Sequence, residues 1–138
     1  AEADRFHPPA NIAKMERGIP LEDADRLPWL TDLAAWIRDR EAEGASTVVA
    51  CSALKRRYRD ILRTGAPEVF FAHLAGTEEV IRDRLAARSG HFFPPALLSS
   101  QFRDLEPLQP DEHGITLDVA EPPERLVDRL AALLAAER

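Results

Sequence analysis

The chain has 138 residues, 45% of them hydrophobic and 30% charged, enough for one soluble domain with a core of its own. It carries 18 Lys and Arg against 24 Asp and Glu, and the net charge of -6 argues against a nucleic-acid scaffold while leaving room for a local basic site. The single cysteine, Cys51, excludes an intrachain disulfide and points to a reducing compartment, and no apolar run is long enough to span a membrane.

In chain order, Pro8-Pro9 closes the first segment and suits the start of a helix. Asn11 to Arg17 reads as that helix, with Gly18 as its stop. Asp23 to Arg26 is a polar turn or short acidic helix. Pro28 is expected to open a strong helix to about Glu43, with Trp29, Leu33, Trp36 and Ile37 at helical spacing and Gly44 as its end. Trp29 and Trp36 are most simply core.

Thr47 to Cys51 is a run of β-branched and small apolar residues without polar alternation, which reads as a parallel strand buried on both faces. Ser52 is expected to cap the helix that follows, whose apolar face is Leu54, Tyr58, Ile61 and Leu62 and whose basic face is Lys55, Arg56, Arg59 and Arg63. Strand-to-helix junctions of this kind hold ligands in open α/β sheets, so Cys51–Lys55 is where a site is sought. Cys51 itself reads as a small buried hydrophobe.

After Gly65-Ala66-Pro67, residues Glu68 to Leu74 are a second buried strand. Thr77 caps a helix that buries Val80, Ile81 and Leu85 and sets Arg84 and Arg88 one turn apart. Gly90 to Glu112 is proline-rich and polar, contains a possible short helix from Ala96 to Phe102, and reads as a lid over residues 90–112. Ile115 to Val119 is a third strand, and Pro122-Pro123 opens a last helix with a stripe of Leu126, Val127, Leu130, Leu133 and Leu134. Alternating strands and helices imply a parallel sheet. His7, His73, His91 and His113 show no metal-ligand spacing, and no metal-binding residue is assigned.

Five blocks, in this order and spacing, carry a resemblance. They are Asp4-x-x-His7-Pro8-x-x-Asn11-x-x-Lys14-Met15; Gly18-x-Pro20-Leu21-x-Asp23-x-Asp25-Arg26-x-Pro28-Trp29-Leu30; Cys51-Ser52-Ala53-Leu54-Lys55-x-x-Tyr58-Arg59-Asp60; Arg84-Leu85-x-x-Arg88-x-Gly90-His91-Phe92; and Ser100-Gln101-Phe102-x-x-Leu105-Glu106-Pro107. Together they resemble the gluconokinase family of small P-loop kinases. That resemblance implies an α/β, three-layer α/β/α parallel sheet of P-loop kinase type. It implies a single kinase domain over 1–138, with a helical substrate-binding subdomain at 12–43 and a lid at 90–112. It further implies a cytoplasmic homodimer that transfers the γ-phosphoryl of ATP, with Mg²⁺, to the 6-hydroxyl of D-gluconate, giving 6-phosphogluconate.

Carried over residue by residue, the resemblance makes Asp4 the group that takes the proton of the attacking hydroxyl and His7 a holder of substrate. Lys14, Arg26 and Arg59 become candidates for the substrate carboxylate and hydroxyls, the two arginines because a planar guanidinium meets a carboxylate bidentately. Arg84 and Arg88 are assigned to the nucleotide, with Arg88 also offsetting phosphoryl charge; His91 is assigned to substrate, and Gln101 touches substrate or nucleotide. The plainer alternatives are a capping Asp4, a surface His7, solvated Lys14 and Arg26, and Arg59, Arg84 and Arg88 on ordinary basic helix faces. Leu108 stands where the family often has a second proline.

The family opens with a strand, a GxxxxGK[ST] phosphate loop and a helix, and this sequence contains no such motif. It therefore resembles a gluconokinase without that unit of about 30 residues. These residues alone are expected to bind ATP poorly, to expose an unpaired sheet edge, and to be unstable or to associate. The rival readings are a non-catalytic remnant that binds a sugar acid or a partner protein, and a kinase for another small metabolite such as shikimate.

Overall fold

The computed structural model describes residues 1–87 and 95–136. These form two compact units, one of residues 1–69 with 95–107, the other of residues 70–87 with 108–136.

The first unit is helical. A 3-10 turn at Ala3–Phe6 leads into α1 (Pro9–Glu16), α2 (Asp23–Ala42), α3 (Arg56–Arg63) and α5 (Pro95–Asp104). α1 starts on proline, as expected, and ends into Gly18, which takes a left-handed φ of 72° that a side chain would resist. α2 starts earlier than Pro28. The Asp25 carboxylate accepts the Glu22 backbone N–H at 2.9 Å, and Asp23 and Asp25 place negative charge at the positive helix end. These local interactions let the helix form ahead of Pro28, which lies inside it. The core is built from Trp29, Leu30 and Leu33 of α2, Tyr58 and Leu62 of α3, and Leu97 and Leu98 of α5. Gly65 lets the end of α3 approach α2, since a Cβ there would lie 2.5 Å from the Ala34 carbonyl oxygen.

The run 47–51 departs from expectation. It is extended but forms only an isolated parallel bridge, Ala50 with Glu2, closed by Ala3 N–H to Ala50 O at 2.9 Å and Ala50 N–H to Ala1 O at 3.0 Å. Val48 is 85% exposed, so this run is not buried on both faces. Apolarity marks a strand as suited to burial, but burial needs a covering layer, and the described residues of this unit provide none around Val48. Ser52 caps nothing, because α3 begins three residues later than the spacing implied, at Arg56, after Lys55. Arg59, assigned to the basic face, is buried with Tyr58 and Leu62.

The second unit contains β1 (Phe71–Ala75), α4 (Glu78–Ala87), β2 (Gly114–Asp118) and α6 (Pro123–Ala136). β1 and β2 pair in parallel, from Phe71 with Gly114 to Ala75 with Asp118, so the α/β class and the parallel sheet hold. The sheet has two strands among the described residues rather than three. β1 is not buried on both faces, since Leu74 is exposed and its neighbours are half-buried. Thr77 caps α4 as expected, its hydroxyl accepting the Val80 N–H at 3.2 Å. Val80, Ile81 and Leu85 are half-buried rather than buried. On α6 only Leu126 of the expected stripe is buried, and Val127 is 63% exposed. A helical stripe records amphipathicity; a two-stranded sheet is too narrow to cover all of it.

Within 90–112, residues 90–94 lie outside the described residues. α5 packs Leu97, Leu98 and Ser100 into the first unit, while residues 108–112 belong to the second. No helix among the described residues is long and apolar enough to cross a membrane.

Candidate active site

A cavity of about 350 Å³ lies in the first unit. Asp4, Arg5 and His7 enter it from the 3-10 turn, Ile12, Met15 and Glu16 from α1, and Pro20 and Leu21 from the connection to α2. Arg26 and Trp29 of α2, Ser52, and Leu97, Ser100 and Gln101 of α5 complete the wall. Its size is at the small end of the roughly 300–1,000 Å³ of ligand sites, and a few polar groups among apolar walls is the arrangement such sites share.

The polar groups are held by identifiable contacts. The Trp29 indole N–H donates to the Ala3 carbonyl at 2.7 Å, tying the turn to α2. The His7 ring stacks on Trp29, centroids 4.1 Å apart, and its Nε2 lies 3.8 Å from Asp4 Oδ1. The Asp4 side chain is 78% exposed, open to whatever fills the cavity. Burial lowers the His7 pKa below 6.5; the Asp4 charge opposes that and the Arg26 charge adds to it. The unfolded chain therefore takes up the His7 proton more readily than the folded one. Stability from this group is whole above pH 6.5 and is lost as pH falls from there through the lowered folded value. His7→Gln is expected to flatten the fall in urea midpoint between pH 7 and pH 5; an unchanged fall would assign the acid sensitivity to other groups.

Arg26 is 5% exposed. Its Nε is buried without a hydrogen-bond partner among the described residues, and its guanidinium sits over the Tyr58 ring, 5.2 Å from the centroid. Tyr58 is fixed in turn by its hydroxyl, which donates to Asp23, and its own pKa is pushed up to about 12 by burial and that bond. Asp23 also takes Lys55 at 3.1 Å and Arg57, and its carboxyl is held below the ordinary range, most by Tyr58. A buried guanidinium at a cavity wall, with no carboxylate paired to it among the described residues, has the chemistry to take an anion.

The cavity thus gathers Asp4, His7, Arg26 and Gln101. It does not gather Lys14, whose Nζ pairs with Asp25 at 2.8 Å, raising the lysine pKa and lowering that of the aspartate. Nor does Arg59 line it. That side chain is buried and donates to the carbonyls of Ala53 at 3.0 Å and Leu54 and Pro107 at 3.3 Å, bracing the 51–55 connection against the end of α5. Arg84 is exposed on α4 of the second unit. Arg88 and His91 lie outside the described residues. Cys51 is half-buried with its thiol pKa pushed up to about 12, chiefly by burial, which disfavours the reactive thiolate. Sequence reasoning gave no site role to Asn11, which is buried against His7, and placed Tyr58, which lies under Arg26, only on an apolar helix face; both stood in the quoted blocks. Among the described residues no three His, Cys, Asp or Glu side chains converge to hold a metal.

Over 136 residues the chain is 41% identical to the gluconokinase of Gluconobacter oxydans, covering 99% of this chain and 76% of that one. The chain belongs to the gluconokinase family. Against the thermosensitive gluconokinase of Escherichia coli it is 48% identical over 114 residues, 83% of this chain, and spans 61% of that enzyme's length. The crystal structure of a sugar kinase from a Janibacter species superimposes with a TM-score of 0.92 at 56% identity, covering 98% of this chain and 78% of that one. A gluconokinase from Sinorhizobium meliloti gives a TM-score of 0.79 at 43% identity, with 99% and 81% covered. No family model matches the sequence.

A gluconokinase needs a cradle for the nucleotide phosphates, and the described residues do not fit that part of the task. Both lysines of the sequence, Lys14 and Lys55, are tied to aspartates, and the sequence has no GxxxxGK[ST] loop. What these residues do assemble is a cavity whose wall carries Asp4, His7, Arg26 and Gln101.

Proposed function

We propose that the protein carrying this chain is a gluconate kinase and that the cavity beside Arg26 receives the sugar acid. One observation carries the reading: Arg26, buried and without a carboxylate among the described residues, shares a wall with Asp4 and His7. A sugar acid supplies what that wall lacks, a carboxylate for the guanidinium and hydroxyls for Asp4 and His7. Asp4 takes the proton of the 6-hydroxyl of D-gluconate, and 6-phosphogluconate is the product. ATP, implied by the family, supplies the phosphoryl group. Mg²⁺, a homodimeric state, a cytoplasmic location, a three-layer α/β/α sheet, the 12–43 subdomain and the 90–112 lid with Arg84, Arg88 and His91 are further parts of this proposal, supported by the family resemblance. Lys14 and Arg59 act in it through Asp25 and the 51–55 connection rather than from the cavity wall.

The reading of binding without turnover is favoured for these 138 residues on their own by the commitment of both lysines to aspartates. Calorimetric titration of the full-length protein, with turnover of ATP measured alongside, separates the readings. Gluconate is expected to bind and be phosphorylated, and glucose, which lacks the carboxylate, to bind at least tenfold more weakly. Equal affinity for the two sugars would remove Arg26 as the determinant. Binding of gluconate without turnover would leave the non-catalytic reading.

A further inference from the structure

Asn11 is 3% exposed, buried at the start of α1 behind the His7 ring. Its Nδ2 donates to the Asp25 carbonyl at 2.8 Å. A carbonyl can only accept, so this contact fixes which end of the amide is the NH₂. The same nitrogen lies 3.2 Å from His7 Nδ1, and its second hydrogen is free to serve that contact. Nδ1 must then be the accepting nitrogen, and a neutral imidazole has one N–H to place. It falls on Nε2, the atom 3.8 Å from Asp4 Oδ1. Stacking on Trp29 fixes the plane of the ring, and the Trp29 indole is anchored on Ala3 O at 2.7 Å.

We propose that Asn11 is a positioning residue that locks His7 in its Nε2–H tautomer, so that His7 presents a donor toward Asp4 and the acceptor hydroxyl and cannot itself be the base. Nδ1 is occupied by Asn11, and Nε2 already bears the proton. The burden of proton removal then falls on Asp4 alone, with His7 Nε2–H donating to the oxygen that Asp4 deprotonates. The charged groups facing the ring are Asp4 from the 3-10 turn and Arg26 from α2, and burial outweighs the Asp4 charge in keeping the imidazole neutral. The tautomer is a property of the folded chain, and only the kinetic part of the test rests on the gluconate reading.

The test is a long-range ¹H–¹⁵N correlation spectrum of the imidazoles in the full-length protein above pH 7, with the His7 signals assigned by their loss in His7→Gln. The wild type is expected to show His7 as a single Nε2–H tautomer. In Asn11→Asp the carboxylate can only accept, so Nδ1 becomes the protonated nitrogen and the pattern reverses; in Asn11→Leu the two forms mix. With the donor gone, turnover of gluconate is expected to fall about tenfold, the worth of one hydrogen bond in an enclosed site, with KM changing less. A wild-type spectrum showing Nδ1–H or a mixture overturns the proposal whether or not the variants fold, as does an unchanged tautomer in Asn11→Leu. Failure of gluconate to bind the wild type would instead remove the gluconate reading and leave the tautomer standing.

Discussion

Asp4→Asn in the full-length protein is expected to lower kcat for gluconate by about 10²–10⁴-fold, the usual contribution of a positioned acid or base. KM is expected to change little, because the amide keeps the shape of the carboxylate and can still meet a hydroxyl. The prediction gains force from what Asp4 does not do. Its side chain is mostly exposed, and the one ion-pair contact it makes among the described residues is to the His7 imidazole at 3.8 Å, longer than a hydrogen bond. Removing the charge therefore disturbs no buried pair, and the stability change is expected to stay within about 0.5 kcal/mol. A melt that holds while turnover collapses identifies a group acting on substrate. A kcat within a few-fold of wild type would return Asp4 to the role of a helix-terminus carboxylate.

Much of the local structure around the cavity was legible in the sequence, and the parts that were not share a physical cause. The proline start of α1, the Gly18 and Gly44 stops and the Thr77 cap follow from short-range chemistry, and the parallel pairing of β1 with β2 from the alternation of strands and helices. Short-range chemistry misled where two local signals competed. Pro28 is a good helix starter, but the acidic turn ahead of it makes a better one through the bond from Glu22 N–H to Asp25. Burial was the poorest inference. Val48 and Val127 look like core in sequence and are exposed, because burial depends on the layer laid over a residue and not on the residue itself. The converse holds for Arg59 and Asn11. Polar letters on a helix read as surface, whereas here each is buried because the chain brings carbonyls to it: Ala53, Leu54 and Pro107 to the arginine, Asp25 to the amide. Such acceptors come from distant backbone, which has no signature in residue types.

Arg26 shows how burial and function can oppose one another. A buried guanidinium whose Nε has no partner among the described residues costs stability, since desolvation is repaid only where a partner carboxylate and its hydrogen bonds are present. The Tyr58 face beneath it, 5.2 Å away, returns about 0.5–2 kcal/mol, short of full compensation. Replacing the charge by an apolar side chain of similar length should therefore relieve the fold while ruining the site. Arg26→Met is expected to leave the urea midpoint unchanged or raised, and to weaken gluconate binding by about 2–4 kcal/mol, some 30- to 1,000-fold, the range for losing one partner of an enclosed charge pair. Arg26→Lys keeps the charge but not the planar fork, and is expected to fall between the two. The stabilisation given by saturating gluconate, about 2.7 kcal/mol at a hundred times Kd, should fall below about 1 kcal/mol in Arg26→Met at the same concentration. The opposite pattern, a marked loss of stability with gluconate affinity intact, would make Arg26 a strut laid across Tyr58 and would place the substrate carboxylate elsewhere.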